Sequence, residues 1–393
     1  MNKYLVLIIT ICSIFYFSNC SNRNERKNEL INIDIERAIN SKTKGISLNE
    51  FIDTIIYIPL ETNRVVHINE IQKIKFYKDN FFVMDNDGLY KFDSCGRFIC
   101  KIGNIGKGPE EYDILGNFFI KSDTIFIRSS NRILAFDLYD GNFLNSFQFD
   151  QTYRRIYVEK TGNYFVALNH VNNMIEFYNG KGLLIDSLTY RWDKKMILDR
   201  AIGFSYYDIF FGTEYSLEIT TFCNDTIFEI NDKFNLTPKY IAHLGKYKIP
   251  DKLRPDVAPW NKFIKNSSAY LRKIPIETRN FLLIQLGSWS GEECSISMPF
   301  YPDKKSGLIG LGIYDKRSNI ISLISQDEEN LPCFYPNYSD GDNHLISFVN
   351  PTDAIVFHEQ NRSLYRFNKS FNEVIQKLKI DDNPVLILVK LKE

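Results

Sequence analysis

The sequence predicts an all-β fold, a six-bladed β-propeller with a small helical insertion and a C-terminal helix plus strand. Three observations predict it. Short runs rich in Phe, Tyr, Ile and Val alternate with Gly, Asp and Asn along most of the 393 residues, the composition of strands joined by tight turns. An aromatic residue returns in equivalent surroundings at Phe92, Phe136 and Phe177, a period of ~40–50 residues that suits one strand meander per repeat. The turn pairs Cys95-Gly96, Asp140-Gly141 and Asn179-Gly180 follow those aromatics, where glycine supplies the positive φ that tight hairpins need. One meander cannot bury both of its faces, whereas stacking repeats around an axis buries them between neighbours.

Taken in order, the chain opens with a targeting segment. Lys3 precedes an almost wholly apolar run over residues 4–17, too short for the ~20 residues of a comfortable membrane span and patterned as a signal-peptide core. It ends in Phe17-Ser18-Asn19-Cys20. Residues 1–20 are therefore expected to be a lipoprotein signal peptide with Cys20 as the lipid anchor, although Asn19 stands where a smaller residue is usual. Residues 21–45 are mostly polar and read as a tether. The propeller is expected over 46–393.

Blades are expected near 66–105, 112–150, 153–190, 200–245, 277–326 and 335–391. An open ring would leave an aggregation-prone edge, so the strand at 53–60 is expected to join the last blade and close it. Residues 248–273 carry Pro250, Pro255 and Pro259, then Trp260, Phe263, Ile264 and Leu271 at helix-like offsets, and read as an insertion with one helix. Residues 344–349 and 354–358 read as the last sheet material before a helix at 370–379 and a strand at 385–389. The helix would place Phe371, Val374, Ile375 and Leu378 on one face.

Four stretches, 53–62, 101–112, 224–240 and 383–392, occur in this order behind a lipobox-like Cys20. Together they resemble the exported six-bladed β-propeller lipoproteins of Bacteroides-type bacteria, relatives of NHL-repeat and TolB-like propellers. The resemblance implies an envelope protein anchored by lipid, with the outer membrane as the expected location. It implies no activity and supplies no catalytic residues.

Charge excludes some functions. With 48 basic and 48 acidic residues, nothing draws the chain broadly to nucleic acid. No complete catalytic set, cofactor motif or metal site emerges. Gly103, Gly106 and Gly108 have the wrong order for a dinucleotide loop, and Pro109 follows; an inter-blade crossover accounts for them. The stretches 85–88 and 340–343 hold clustered oxygen ligands without completing a calcium loop, and turn chemistry explains them equally. His358-Glu359 lacks a second His four residues on. Once Cys12 and Cys20 are set aside, Cys95, Cys100, Cys223, Cys294 and Cys333 remain, an odd set without C-x-x-C spacing.

Candidate binding residues are Lys107, Glu110 and Glu111 in the first crossover, and the aromatics Tyr206, Tyr207, Trp260 and Trp289 for stacking on a sugar. Aromatics that fill inter-blade space are the competing explanation. The expected function is a binding module for an envelope protein or glycan. The rival is a propeller glycan hydrolase or lyase, which carboxylates of raised pKa clustered at the channel mouth would favour.

Overall fold

The computed structural model describes residues 30–41, 45–149, 156–161, 164–169, 174–189, 209–213, 216–220, 223–231, 233–254, 258–289, 308–325, 331–361 and 369–393. Its first elements are β1 (Ile31–Asp34), helix α1 (Ile35–Asn40), β2 (Ile46–Ser47) and β3 (Ile52–Pro59). Six sheets follow. Blade 1 is β4 (Lys73–Tyr77), β5 (Asn80–Met84), β6 (Leu89–Asp93) and β7 (Phe98–Ile102). Blade 2 is β8 (Asn117–Lys121), β9 (Thr124–Ser129), β10 (Arg132–Asp137) and β11 (Phe143–Gln148). Blade 3 is β12 (Ile156–Thr161), β13 (Tyr164–Asn169), β14 (Met174–Tyr178) and β15 (Leu184–Thr189). Blade 4 is β16 (Ile209–Gly212), β17 (Leu217–Thr220), β18 (Thr226–Ile230) and β19 (Leu236–His243).

Helix α2 (Trp260–Asn266) precedes blade 5, which is β20 (Leu271–Glu277), β21 (Phe281–Ser288), β22 (Leu308–Asp315) and β23 (Ile320–Ser325). Blade 6 contains β24 (Tyr338–Ser339) and β25 (His344–Val349). Helices α3 (Pro351–Gln360) and α4 (Lys369–Ile375) then precede β26 (Val385–Leu391). As expected, the ring closes through the N-terminal strand: β3 pairs antiparallel with β26, from Pro59 opposite Val385 to Ile52 opposite Leu391.

The inner strands β4, β8, β12, β16, β20 and β24 touch one another in succession around the axis. Between each pair of blades lies one apolar cluster. Phe82 and Leu89 of blade 1 meet Phe118, Ile127 and Phe136 of blade 2, while Val83 and Phe92 on the other face of blade 1 meet Ile346 and Leu386 of blade 6. Phe81, Phe82, Phe92 and Leu386 are fully buried, and each such side chain contributes about 1.5–3 kcal/mol of hydrophobic stabilisation. Gly96 and Gly141 have φ of +82° and +72°, as the turn pairs predict. In blade 3 the left-handed position falls on Gly182, at φ +80°, two residues beyond Gly180.

Some expectations are corrected. The tether does not extend to residue 45. Strand β1 adds in parallel to β19 of blade 4, and β2 adds in parallel to β23 of blade 5. Asp34 caps α1 by accepting from Arg37 N at 2.8 Å, and Ile33 and Ile35 are buried against the blades. Leu271 is not helical: α2 ends at Asn266, and Leu271 opens the inner strand of blade 5. Residues 354–358 are helical, not sheet. Asn350 is the N-cap of α3 and Pro351 occupies its first turn, where a missing N–H and a fixed φ are helix-compatible.

Candidate functional site

A cavity of about 880 Å³ occupies the axis. It is lined by inner strands and by the first hairpin turns of blades 1, 2, 4, 5 and 6, including Lys78, Ser122, Thr213, Arg279 and Asp340. Its described lining carries seven basic side chains, Lys73, Lys75, Lys78, Lys121, Lys239, Arg279 and Lys316, against four acidic ones, Asp79, Glu277, Asp340 and Asp342. Alternation on β4 explains part of this. Ile74 and Phe76 are buried in the sheet packing, while Lys73 and Lys75 are half-buried. Lys73 Nζ donates to Phe118 O at 2.8 Å, and Lys75 Nζ to Asp340 O at 3.2 Å.

The polar centre of the wall lies between blades 4 and 5. Glu277 ends β20, and its Oε1 accepts from Lys316 Nζ at 2.6 Å, Tyr240 OH at 2.8 Å and Lys239 Nζ at 3.3 Å. Lys239 also donates to Glu218 Oε1, and Lys316 to Thr278 O at 2.6 Å. The side chains of Glu218 and Glu277 are 0% and 1% exposed, whereas Lys239 and Lys316 retain 23% and 19%. Oε2 of each carboxylate is buried without a hydrogen-bond partner among the described residues.

The two glutamates respond oppositely. Burial, followed by the neighbouring Glu277 charge, pushes Glu218 up to about 7. Burial opposes ionisation of Glu277 as well, but the Lys316 and Lys239 ammoniums overcome it and hold Glu277 below its ordinary value. Burial lowers Lys316 despite its contact with Glu277. Lys239 meets the same burial, yet the Glu277 and Glu218 carboxylates raise it above the ordinary value.

None of the sequence candidates whose side chains are described, Lys107, Glu110, Glu111 and Trp289, lines this cavity. Lys107, Glu110 and Glu111 belong to the connection from β7 to β8, which enters β8 at the end opposite its first hairpin turn. That connection is held from within: Glu111 Oε2 accepts from Gly108 N at 2.8 Å, and Arg132 donates to the carbonyls of Gly108, Pro109 and Glu111. Trp289 packs the insertion, with Nε1 donating to Leu271 O at 2.8 Å and its ring edge-on to Phe263 at 6.3 Å. Beside it, burial lowers Lys273 to about 8, and its ammonium donates to Asn224 O, but the adjoining cleft of about 20 Å³ holds little more than a water. Trp260 opens α2. Tyr206, Tyr207 and Cys20 lie outside the described residues.

The two oxygen-rich stretches cap their own turns. Asp85 Oδ1 accepts from Asp87 N and Gly88 N, and Asp340 Oδ1 from Asp342 N and His344 N. No group of three metal-ligating side chains occurs among the described residues. Cys95 and Cys100 are free thiols, and Cys95 is exposed. The residues that sequence reasoning missed are Glu218, Lys239, Glu277 and Lys316. Their one legible signal was a charge inside an apolar strand, as in Leu217-Glu218-Ile219 and Ile276-Glu277.

These features define a six-bladed β-propeller with a cationic axial cavity and a buried ion network between two blades. The chain belongs to the family described as domain of unknown function DUF4934, whose model matches residues 30–390. It is similar to a Bacteroides fragilis protein described as exported, at 16% identity and a TM-score of 0.70, covering 93% of this chain and all of that one. A Bacteroides caccae protein of unknown function is 12% identical, covering 66% and 82% of the two chains at a TM-score of 0.38. A virginiamycin B lyase from Staphylococcus aureus is 10% identical, covering 86% and 99% at a TM-score of 0.44. No curated protein matches the chain. Among the described residues no helix is long and apolar enough to cross a membrane.

Proposed function

We propose that this protein is an exported propeller, lipid-anchored through Cys20 in the cell envelope, that binds a ligand in its axial cavity without transforming it. The exported relative and the N-terminal leader support the location. Between Cys20 and the first paired residue, Ile31, an extended chain reaches at most about 40 Å. The propeller would therefore sit close to the membrane that holds it. Metabolic labelling with an alkynyl fatty acid tests the anchor: the native chain takes the label and Cys20→Ser does not. A label retained by that variant would refute it.

The observation that carries the binding reading is the state of the carboxylates. A rise in Glu218 toward neutrality beside a second carboxylate is the signature expected of an acid catalyst, and it favours the hydrolase or lyase as a second reading. A catalytic acid must come within hydrogen-bond reach of the atom it protonates. Glu218 is shut off from the cavity, and Oε1 of Glu277 is already occupied by three donors. The arrangement presents ammonium groups to the cavity and keeps Glu218, the carboxylate of raised pKa, behind them. Equilibrium dialysis against size-fractionated envelope glycans, read by mass spectrometry, separates the two readings. Binding returns the retained species intact; shortened or unsaturated products would establish catalysis.

A further inference from the structure

We infer that the axial cavity takes an anionic ligand that also carries hydroxyl groups, the chemistry of a sugar acid, held between Lys239, Lys316 and the free oxygen of Glu277. This rests on the cavity-binding reading and specifies its ligand class.

Donor counting supports it. An ammonium has three N–H groups. Lys239 uses two on Glu218 and Glu277, and Lys316 uses two on Glu277 and Thr278. Each keeps one N–H among the described residues, on a side chain that lines the cavity and is 19–23% exposed. Glu277 fixes both ammoniums by accepting from them through one oxygen, so the pair is positioned before a ligand arrives. Such preorganisation removes much of the ordering cost of binding. Two remaining N–H groups anchored on one atom suit the oxygens of a carboxylate or a phosphoryl group.

The second, independent observation is Glu277 Oε2. This oxygen is buried, its residue lines the cavity, and it has no hydrogen-bond partner among the described residues. An unsatisfied buried acceptor of this kind is costly and calls for a donor. A fully ionised inorganic anion such as sulfate has none to offer, whereas a hydroxyl adjacent to the anionic group of a sugar acid does. The seven basic against four acidic lining residues add a field of the same sign, and a cavity of about 880 Å³ falls in the range of small-molecule sites.

The test is isothermal titration calorimetry of the mature protein at pH 7 and low salt with glucuronate, glucose 6-phosphate, glucose and sulfate. We expect at least one of the two sugar acids to bind ~10-fold or more tightly than glucose and sulfate, as befits a charge-assisted contact added to a hydroxyl contact. Which one binds identifies the carboxylate or the phosphoryl group as the anion. Lys316→Met should weaken that binding by ~10-fold or more, with Lys316→Arg retaining most of it. Thermal melting confirms that each variant is folded, and Glu277→Gln, which keeps volume and removes charge, serves if Lys316→Met is not. Glucose or sulfate binding as tightly as both sugar acids, no sugar acid binding at millimolar concentration, or binding indifferent to Lys316 and Glu277 would each overturn the inference. If envelope dialysis instead recovers a neutral or cationic ligand that Lys316→Met releases, the inference fails while the binding reading stands. Turnover of a bound sugar acid would leave the inference intact and overturn the binding-only reading.

Discussion

Replacing Glu218 by Gln probes the charge network directly. The ordinary glutamate value is 4.5, and in the fold Glu218 titrates near 7. A carboxyl whose pKa is raised on folding releases its proton first from the unfolded chain. Stability is then fully present below about 4.5, falls as pH rises to about 7, and is flat beyond. Between those values the folded state loses about 3 kcal/mol, of which about 1 has gone by pH 5.5, so roughly 2 kcal/mol separates pH 5.5 from pH 8. Glutamine has nearly the same shape and does not titrate. The charged contact to Lys239 forms only as Glu218 ionises and is already contained in its raised value, while Lys239, held above its ordinary value, stays charged throughout. Glu277, held below 4.5, stays ionised throughout. The difference in unfolding free energy between Glu218→Gln and the native protein should therefore move by about 2 kcal/mol in favour of the variant from pH 5.5 to 8. Urea unfolding at both pH values measures it. A difference that does not change with pH, or that moves toward the native protein, would refute the reasoning.

Other perturbations test the fold. Gly96→Ala puts a Cβ 2.3 Å from Pro59 O at φ +82°; it should destabilise the ring closure by more than ~1 kcal/mol, read as a lower urea midpoint, and no change would show that the turn can shift freely. Leu386→Ala empties a fully buried position between blades 6 and 1 and should cost about 2–5 kcal/mol in the same assay. Tyr240→Phe removes the 2.8 Å hydroxyl donation to Glu277 and should cost about 1–3 kcal/mol. Arg132→Ala withdraws three carbonyl contacts from the 103–116 connection, so limited proteolysis should cut beside Lys107 several-fold faster than in the native protein, with unfolding by urea little changed.

Much of the ring was legible because each blade repeats the same local chemistry. Phe92, Phe136 and Phe177 occupy matching strands, and the closing strand announced itself as a sheet segment without a blade of its own. The N-terminal additions were not legible. Pairs of four and two residues, Ile31–Asp34 and Ile46–Ser47, carry too little periodicity to mark a strand, and their partners lie some 200 to 280 residues away. The α3 helix was misread because apolar residues at 354–357 suit a strand as well as a helix, while the decisive signal, Asn350-Pro351, stood outside that window. The site was hidden for a different reason. Glu218, Lys239, Glu277 and Lys316 come from β17, β19, β20 and the turn after β22. Blade stacking brings them together, and no sequence spacing encodes it. Exposed charges such as Lys107 and Glu110 looked more available, yet they sit on a self-contained connection.

The position of the network argues for its purpose. The 27-residue connection from β19 to β20 is the longest between consecutive blades among the described strands, so blades 4 and 5 are the least closely tethered pair along the chain. It is reinforced from outside: β1 extends blade 4, α1 touches both β19 and β23, and β2 extends blade 5. The apolar cluster beneath, with Ile33, Ile35, Tyr240, Leu271 and Ile284, spans both blades and the N-terminal segment. With that reinforcement in place, stability does not require charges inside the same junction. Buried ion networks are often weaker than well-packed apolar replacements, and Glu218 lies near neutral pH because the fold penalises its ionisation. A network that costs stability where apolar packing would serve is better explained by what it holds at the surface of the cavity. Here that is a pair of ammonium groups fixed by one carboxylate oxygen, with the second oxygen buried and without a donor among the described residues.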